Sequence, residues 1–429
     1  MLFKNIGIVD ENYQYQKDMF VGIKDEKIAY ISSKEPEEDF GEVYDGKGKI
    51  LMPAFYNAHG HSPMTLLRGY GENLNLQDWL FNLIFPFEDH LDSDAVYWGQ
   101  MMAMAESFKY GIASTSDMYY FTDDMVRATI EAGAKINVSR AVSATEIDAP
   151  SLKDMNRLIQ EYKTFKNDKI IFETSIHAEY TNNEAVCRYI AEAAKENGLG
   201  MHVHVSETRP ETEECKARNN GMTPTQFLDM CGAFDVRAIA AHCVWCTDED
   251  LDILKAKNVT IASNPVSNLK LVSGNCRSVD IYNKGINLAI GTDSVASNNS
   301  LNFFEEMKLF TIAGKMTAQD PAAMRPEQVL HSATRAGAIA QGREDCGLLK
   351  EGFKADLMVL DGQASNMQPE HNAINNIIYA ADPTNILMTM VDGKVVYKNG
   401  EYTTIDMEKT IFNLEKQRQR ILGELAAEK

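Results

Sequence analysis

MPAFYNAHGHSPMTLLR, residues 52–68, sets an apolar run against an abrupt His-Gly-His. The run begins at Lys49 and reads as a strand to Ala58, with His59, Gly60 and His61 at its end. Side chains at i and i+2 of a strand share a face, so both imidazoles leave the strand end in one direction. Gly60 between them removes a side chain that would crowd the backbone. Such a pair converges on a metal ion when residues from other strands answer it.

Seven more strand-like runs come later in the chain: Ile112 to Asp117, Ala134 to Val142, Lys169 to His177, Gly200 to Val205, Val236 to His242, Asn258 to Ser263 and Ile286 to Asp293. Stretches of helical pattern and length, such as Asp94 to Tyr110 and Asn183 to Asn197, lie between them. Alternating βα units predict an α/β fold, and eight of them predict a (β/α)8 TIM-like barrel. The chain ends have another rhythm. Residues 1–50 break into short strands, and a matching set returns at Ala355 to Leu360, Asn376 to Tyr379 and Ile386 to Tyr397, the last with an Asp392-Gly393 hairpin signal. The two ends therefore predict one small β-sandwich domain. The expected division is 1–52 with 350–405 for the small domain, 53–349 for the barrel and 406–429 for a charged C-terminal surface helix.

Polar residues collect at the C-terminal ends of the barrel strands, where such barrels carry their chemistry: His59, His61, Asp117, Arg140, His177, His204, His242 and Asp293. A hydrolytic zinc site needs a few N and O ligands and one open position, and His59, His61, His204 and Asp293 meet that need. Glu207, three residues past His204, is free to carry protons. His242 is placed to polarise or position a nucleophile, or to stabilise charge at the attacked centre. His202 lies one pleat deeper and reads as a core histidine, while Asp117 reads as a hydrogen-bonded strand-end carboxylate. Met101, Met102 and Met104 read as core.

The bulk properties narrow the partners. With 62 acidic against 42 basic residues and a net charge of -20, the surface repels phosphate backbones and anionic lipid headgroups, so neither nucleic acid nor membrane is an expected partner. The chain shows no signal-peptide pattern and no apolar run of membrane-spanning length, and the expectation is a soluble, cytoplasmic protein. A homo-oligomer stays open. Seven cysteines without regular spacing make no disulfide framework, and the Cys243 to Cys246 pair reads as small packed residues.

NAHGHSPMTLLRG, HVHVSET, AAHCVW, SNPVSNLKL and GTDSVASNNSLN together resemble the amidohydrolase superfamily, and within it the 5-methylthioadenosine and S-adenosylhomocysteine deaminase branch, which is similar to the triazine chlorohydrolases. The resemblance implies zinc on His59, His61, His204 and Asp293, with Glu207 as proton shuttle and His242 near the attacking oxygen. Lys169 begins the fourth strand rather than ending it and cannot bridge two metals, so the implied cofactor is one zinc ion per chain. Glu88, in PFEDHL, matches the glutamate that holds ribose hydroxyls, and His177, in HAEYT, matches the histidine that addresses the purine. Trp79 is counted among the substrate contacts.

Two departures concern the 5′ end of a nucleoside. Arg140 matches the first of two arginines for a homocysteine carboxylate, but EIDAPSLKD supplies no second. Arg277, in GNCRSVD, stands where relatives show an apolar residue or proline and is the candidate replacement, and Glu179 stands where HAEYT usually has proline. The implied activity is deamination of adenine in a 5′-modified adenosine. The alternatives are hydrolysis of another N-heterocycle (guanine, a pterin, an s-triazine) and a silent barrel that binds a nucleoside or metal without turnover.

Overall fold

A computed structural model describes residues 1–428. Eight parallel strands form one sheet: β1 (Phe55–Gly60), β2 (Ile112–Tyr119), β3 (Lys135–Arg140), β4 (Ile170–Ile176), β5 (Gly200–Val205), β6 (Ala238–His242), β7 (Thr260–Ser263) and β8 (Leu288–Ile290). Gly60 and Asp293 pair in parallel across the gap from β8 to β1, which brings the sheet round into a barrel. Because helices cover the outside, these strands are buried on both faces and read as apolar runs without alternation, as in AIAAH of β6.

The intervening helices are set by their caps. Ser93–Lys109 starts where the Asp92 side chain accepts the Ala95 amide at 2.8 Å, and Glu184–Asn197 starts on Asn183 and stops at Gly198, whose φ of +63° suits glycine. The helix Arg335–Ala340 lies against the barrel floor. A side chain at Gly337 would sit 2.1 Å from the Tyr56 carbonyl oxygen, so only glycine allows that approach.

The first strand read from the sequence is in fact two. Lys49–Pro53 belongs to the small sheet, and Phe55–Gly60 starts the barrel after a change of direction at Ala54. Pro53 has no N–H with which to continue a ladder, and the chain passes from one sheet to the other at that point. The segment read as a strand at Asn376 to Tyr379 is instead the helix Ala373–Tyr379. Asn372 caps it by accepting the Asn375 amide at 3.0 Å, and Ile374, Ile377 and Ile378 bury one helical face. A short apolar run carries no period long enough to separate strand from helix.

Both chain ends meet in a nine-stranded, mainly antiparallel sheet. Lys49–Pro53 pairs with Leu357–Asp361 in a register that sets Leu51 opposite Val359. Residues of Leu357–Asp361 alternate between two cores: Leu357 and Val359 join Val21, Ile28 and Met388 within the small domain, while Met358 and Leu360 join the main core. Strands from opposite ends of the sheet order share the inner cluster, so the sheet curls over its own core. Asp392 and Gly393, both at positive φ, make the expected two-residue hairpin.

Two contacts tie the outer parts to the barrel. The helix Met407–Ala427 packs on Ser93–Lys109 and Phe85–Glu88, with Arg420 to Asp92 at 3.0 Å and His90 to Glu424 at 3.3 Å. Lys135 of β3, almost wholly buried, reaches Asp356 at 2.5 Å and Asp392 at 2.6 Å, and Tyr56 donates to Asp356 as well. This cluster joins the barrel to the small sheet through buried charges. Lys135→Met leaves two buried carboxylates short of a cation, and we expect a loss of about 3 to 5 kcal/mol, measured as a shift in the denaturation midpoint.

Candidate functional site

At the C-terminal mouth of the barrel, β1 ends in His59 and His61, β5 in His204, β6 in His242, and the turn after β8 carries Asp293. The three imidazoles of His59, His61 and His204 each spend Nδ1 outward. His61 Nδ1 lies 2.6 Å from the Met118 carbonyl, His204 Nδ1 lies 2.6 Å from the His177 carbonyl, and His59 Nδ1 lies 2.8 Å from His202 Nε2. A carbonyl can only accept, so the protons of His61 and His204 sit on Nδ1 and their Nε2 lone pairs face the centre. Asp293 Oδ1 is 3.6 Å from His59 Nε2 and 3.5 Å from His61 Nε2, and His61 and His204 bring their Nε2 atoms within 3.3 Å of each other.

The backbone bends to achieve this convergence. Ser206, His242, Cys243 and Asp293 all have positive φ, a conformation non-glycine residues hold only where surrounding contacts impose it. Gly291 lets the chain before Asp293 pass β1, since a Cβ there would lie 2.8 Å from that of His59. Asp293 is fixed further by the Ser267 hydroxyl at 2.6 Å and the Ser294 amide at 2.7 Å.

Burial sets the charge states. Desolvation pushes His59 down to about 3 and His204 well below its ordinary value, so both rings are neutral. Burial alone would raise Asp293, but the neighbouring imidazoles of His59, His242 and His61 outweigh it and hold the carboxyl well below the usual range. Neutral imidazoles beside an ionised carboxylate are the protonation states a divalent metal requires. His59 Nε2 is fully buried and finds no hydrogen-bond partner among the described residues, as expected of a donor atom left for an ion. His59, His61 and Asp293 form one group able to hold a metal, and His59, His204 and His242 a second that overlaps it.

Glu207 and His242 flank this cluster, with His242 Nε2 at 3.7 Å from Glu207 Oε2. Burial, reinforced by the Asp293 charge and opposed by the Ser273 hydroxyl, pushes Glu207 up to about 8. His242 Nδ1 lies 2.8 Å from Asn268 Oδ1 and 3.1 Å from Asn264 Nδ2. The turn carrying Glu207 is pinned by Glu211, which accepts the amides of Ser206, Glu207 and Thr208 at 3.0, 2.7 and 3.2 Å.

A cavity opens above the cluster. One wall is the segment 76–88, helical but interrupted by a π-turn at Leu80–Ile84, and it presents Trp79, Ile84 and Phe85 as apolar surface. Glu88 ends that segment. Burial pushes it up to about 7, against hydrogen bonds from Tyr119 and Tyr120 that lower it. His177 lines the opposite wall, its Nδ1 3.2 Å from the Thr181 hydroxyl, and burial lowers it to about 4.

The cavity thus gathers His61, His204, Asp293, Glu207, His242, His177, Trp79 and Glu88, and His59 lies beneath them. Arg140 lines an adjoining outer groove instead. Arg277 is not brought to either: its guanidinium reaches Asp248 and Asp280, each at 2.8 Å, and is neutralised there. Its place in the substrate-contact set is therefore corrected. Glu179 is also turned away, accepting from Arg218 and Asn219 at 2.8 Å each. Asp117 receives the Ser62 amide at 3.1 Å and braces the turn after His61, and His202 braces His59 from below. All seven cysteines are free and buried. The sequence reading had no role for Ser267, Asn268 or Glu211; the Thr208-x-x-Glu211 capping pattern was the available signal for the last.

The chain is similar to known proteins over most of its length. A family model described as the amidohydrolase family matches residues 50–396. The chain is 37% identical to a 5-methylthioadenosine/S-adenosylhomocysteine deaminase of Acetivibrio thermocellus, covering 98% of this chain and 99% of that one. It is 35% identical to a 5'-deoxyadenosine deaminase of Methanothermobacter thermautotrophicus, covering 91% and 92%. A solved adenosine deaminase from Xanthomonas campestris, with bound zinc, superposes with a TM-score of 0.93 at 29% identity, covering 98% of each chain.

The His202 to His59 contact makes its own prediction. His202→Ala removes the group that orients His59 while leaving every inward-facing donor in place. Retention of a divalent metal should weaken by about 10- to 100-fold, read by competition with a chromogenic chelator.

Proposed function

The chain belongs to the amidohydrolase family, and from that premise we propose that it is a zinc-dependent aminohydrolase converting the adenine of a 5′-modified adenosine to the inosine analogue and ammonia. As its family and relatives indicate, it is a hydrolase of carbon–nitrogen bonds. The observation that carries the finer reading is that one cavity is lined both by the His/Asp cluster with Glu207 and by Glu88, which also lines the adjoining outer groove. A nucleoside has a ring to be attacked at one end and a ribose diol at the other. A free heterocycle such as guanine or an s-triazine has no ribose diol for Glu88 to hold, and a silent barrel has no need of Glu207, His242 and Asp293 together.

His59, His61, His204 and Asp293 would hold one zinc ion, since His59 belongs to both overlapping groups and the His61 and His204 Nε2 atoms lie 3.3 Å apart. When bound, zinc supplies a Lewis acid that brings the pKa of water to about 7. The protein groups manage the protons. The Asp293 carboxylate takes a proton from the attacking water. Glu207, held protonated up to about pH 8, gives one to N1 of the adenine, which breaks the ring's aromaticity and opens C6 to attack. His242, steadied by Asn268 and Asn264, stabilises the developing charge at that carbon. Asp293 then returns its proton to the amino nitrogen, the C6–N bond breaks to release ammonia, and the C6 hydroxyl proton passes to Glu207, leaving the carbonyl and restoring both carboxyl groups. His177 addresses the purine from the far wall and Trp79 packs on the near one.

No helix among the described residues is long and apolar enough to cross a membrane. The similarity to nucleoside deaminases supports a small nucleoside as partner and a place in cytoplasmic metabolism.

The direct test is ammonia release from adenosines differing only at the 5′ position, with guanine included. We expect turnover of the adenosines and none of guanine. Glu207→Gln should lower kcat by at least about a hundredfold with metal content held at one ion per chain by elemental analysis.

Glu88 gives a pH dependence. Its pKa is raised to about 7, so it is protonated below that pH and ionised above it. The ionised carboxylate accepts both ribose hydroxyls, so kcat/KM should fall as pH drops through about 7, by roughly tenfold per pH unit well below it. Glu88→Gln should flatten that acid limb while lowering kcat/KM by about tenfold or more at pH 8.

A further inference from the structure

Beyond Glu88 the cavity opens into an outer groove that shares Phe85, Glu88, Tyr120 and Tyr180 with it. On the proposed nucleoside reading, a base placed toward Glu207 and a ribose at Glu88 send the 5′ group into this groove. Among the described residues that line it, Arg140 is the one cation, while Glu88 and Asp89 are acids.

Arg140 is already engaged. Its Nε donates to Asp154 Oδ2 at 3.1 Å, Nη1 donates to the Ala141 carbonyl, and the guanidinium carbon stands 4.8 Å from the centre of the Tyr120 ring. Asp154 is anchored from behind by Arg157, whose Nε and Nη2 reach Asp154 Oδ1 at 3.1 and 2.9 Å. Arg157 also holds Asp123 at 2.7 Å and Glu161 at 2.6 Å, so the carboxylate of Asp154 sits at the end of a fixed ionic chain. The Arg140 and Asp154 side chains are only 16% and 32% exposed, which limits screening by water.

We infer that Asp154 is the positioning residue that sets 5′ selectivity: by holding Arg140 it denies an anionic tail the groove's cation, and the enzyme selects adenosines whose 5′ group is uncharged. A carboxylate entering the groove meets a guanidinium whose charge Asp154 already balances and whose Nε and Nη1 are already spent on Asp154 and the Ala141 carbonyl, while it faces Glu88 and Asp89. A hydrogen, hydroxyl or methylthio group asks nothing of Arg140 and packs against Phe81, Phe85 and Leu91.

The test compares 5′-methylthioadenosine with its carboxymethylthio analogue, which differs by one carboxylate, with adenosine and 5′-deoxyadenosine alongside. The native protein should prefer the methylthio substrate by about tenfold or more in kcat/KM, the scale of one charge-assisted hydrogen bond. Asp154→Asn should narrow that ratio by about tenfold, through a lower KM for the carboxylate substrate at similar kcat. Asp154→Glu, which can still pair, should keep the native ratio, and Arg140→Met added to Asp154→Asn should abolish the gain. A native preference for the carboxylate tail overturns the inference. So does an Asp154→Asn variant that leaves the ratio unmoved, including one that slows both substrates equally, because a merely structural role would do that. If the native protein turns over none of the four nucleosides, the nucleoside reading itself falls, and the inference with it.

Discussion

The amide of Asp293 donates to the carbonyl of His59 at 3.0 Å, and on that bond the barrel closes. It joins the end of the last strand to the end of the first, which are far apart in the chain. Only when they meet does Asp293 stand within 3.6 Å of the two imidazoles of the His-Gly-His turn. The closure needs small residues at the seam, and Gly291 supplies the space beside His59. The same hydrogen bond therefore completes the fold and assembles the site.

Closure also desolvates the centre. Three imidazoles and a carboxylate buried together would ordinarily be costly. The cost is limited because each histidine spends its outer nitrogen on a carbonyl or on His202, and Asp293 accepts from Ser267 and Ser294. These partners fix tautomer and orientation together, so the inward-facing atoms are held in place before any ligand arrives. Low dielectric also keeps Glu207 protonated near neutrality, which suits the proton delivery proposed for it.

The outer parts of the chain act on the mouth of the pocket. The C-terminal helix braces Phe85–Glu88 from outside, and through it the position of Glu88 depends on residues more than three hundred positions away. The small sheet is locked to the barrel floor by Lys135, Asp356 and Asp392, at the end opposite the cluster. The candidate site and the stabilising charges thus occupy different ends of one barrel, as the architecture favours.

Much of the site was legible in the sequence because strand periodicity is local. His-Gly-His at a strand end, His204 with Glu207, His242, and Asp293 after the last strand declare their direction by position alone, and the βα rhythm declares the barrel. Where local pattern was too short it misled, as at residues 376–379, where one apolar run serves strand and helix equally. The pairings of charged side chains at and beyond the strand ends were not legible. Arg277 turns to Asp248 and Asp280, Glu179 to Arg218, and Arg140 to Asp154, because long flexible side chains bind whatever opposite charge the fold brings near. His202, one pleat below His204, became the support of His59 only when β5 came to face β1 across the barrel. The residue types and their strand ends belong to the sequence; which charge meets which is decided by distances that exist only in the closed fold.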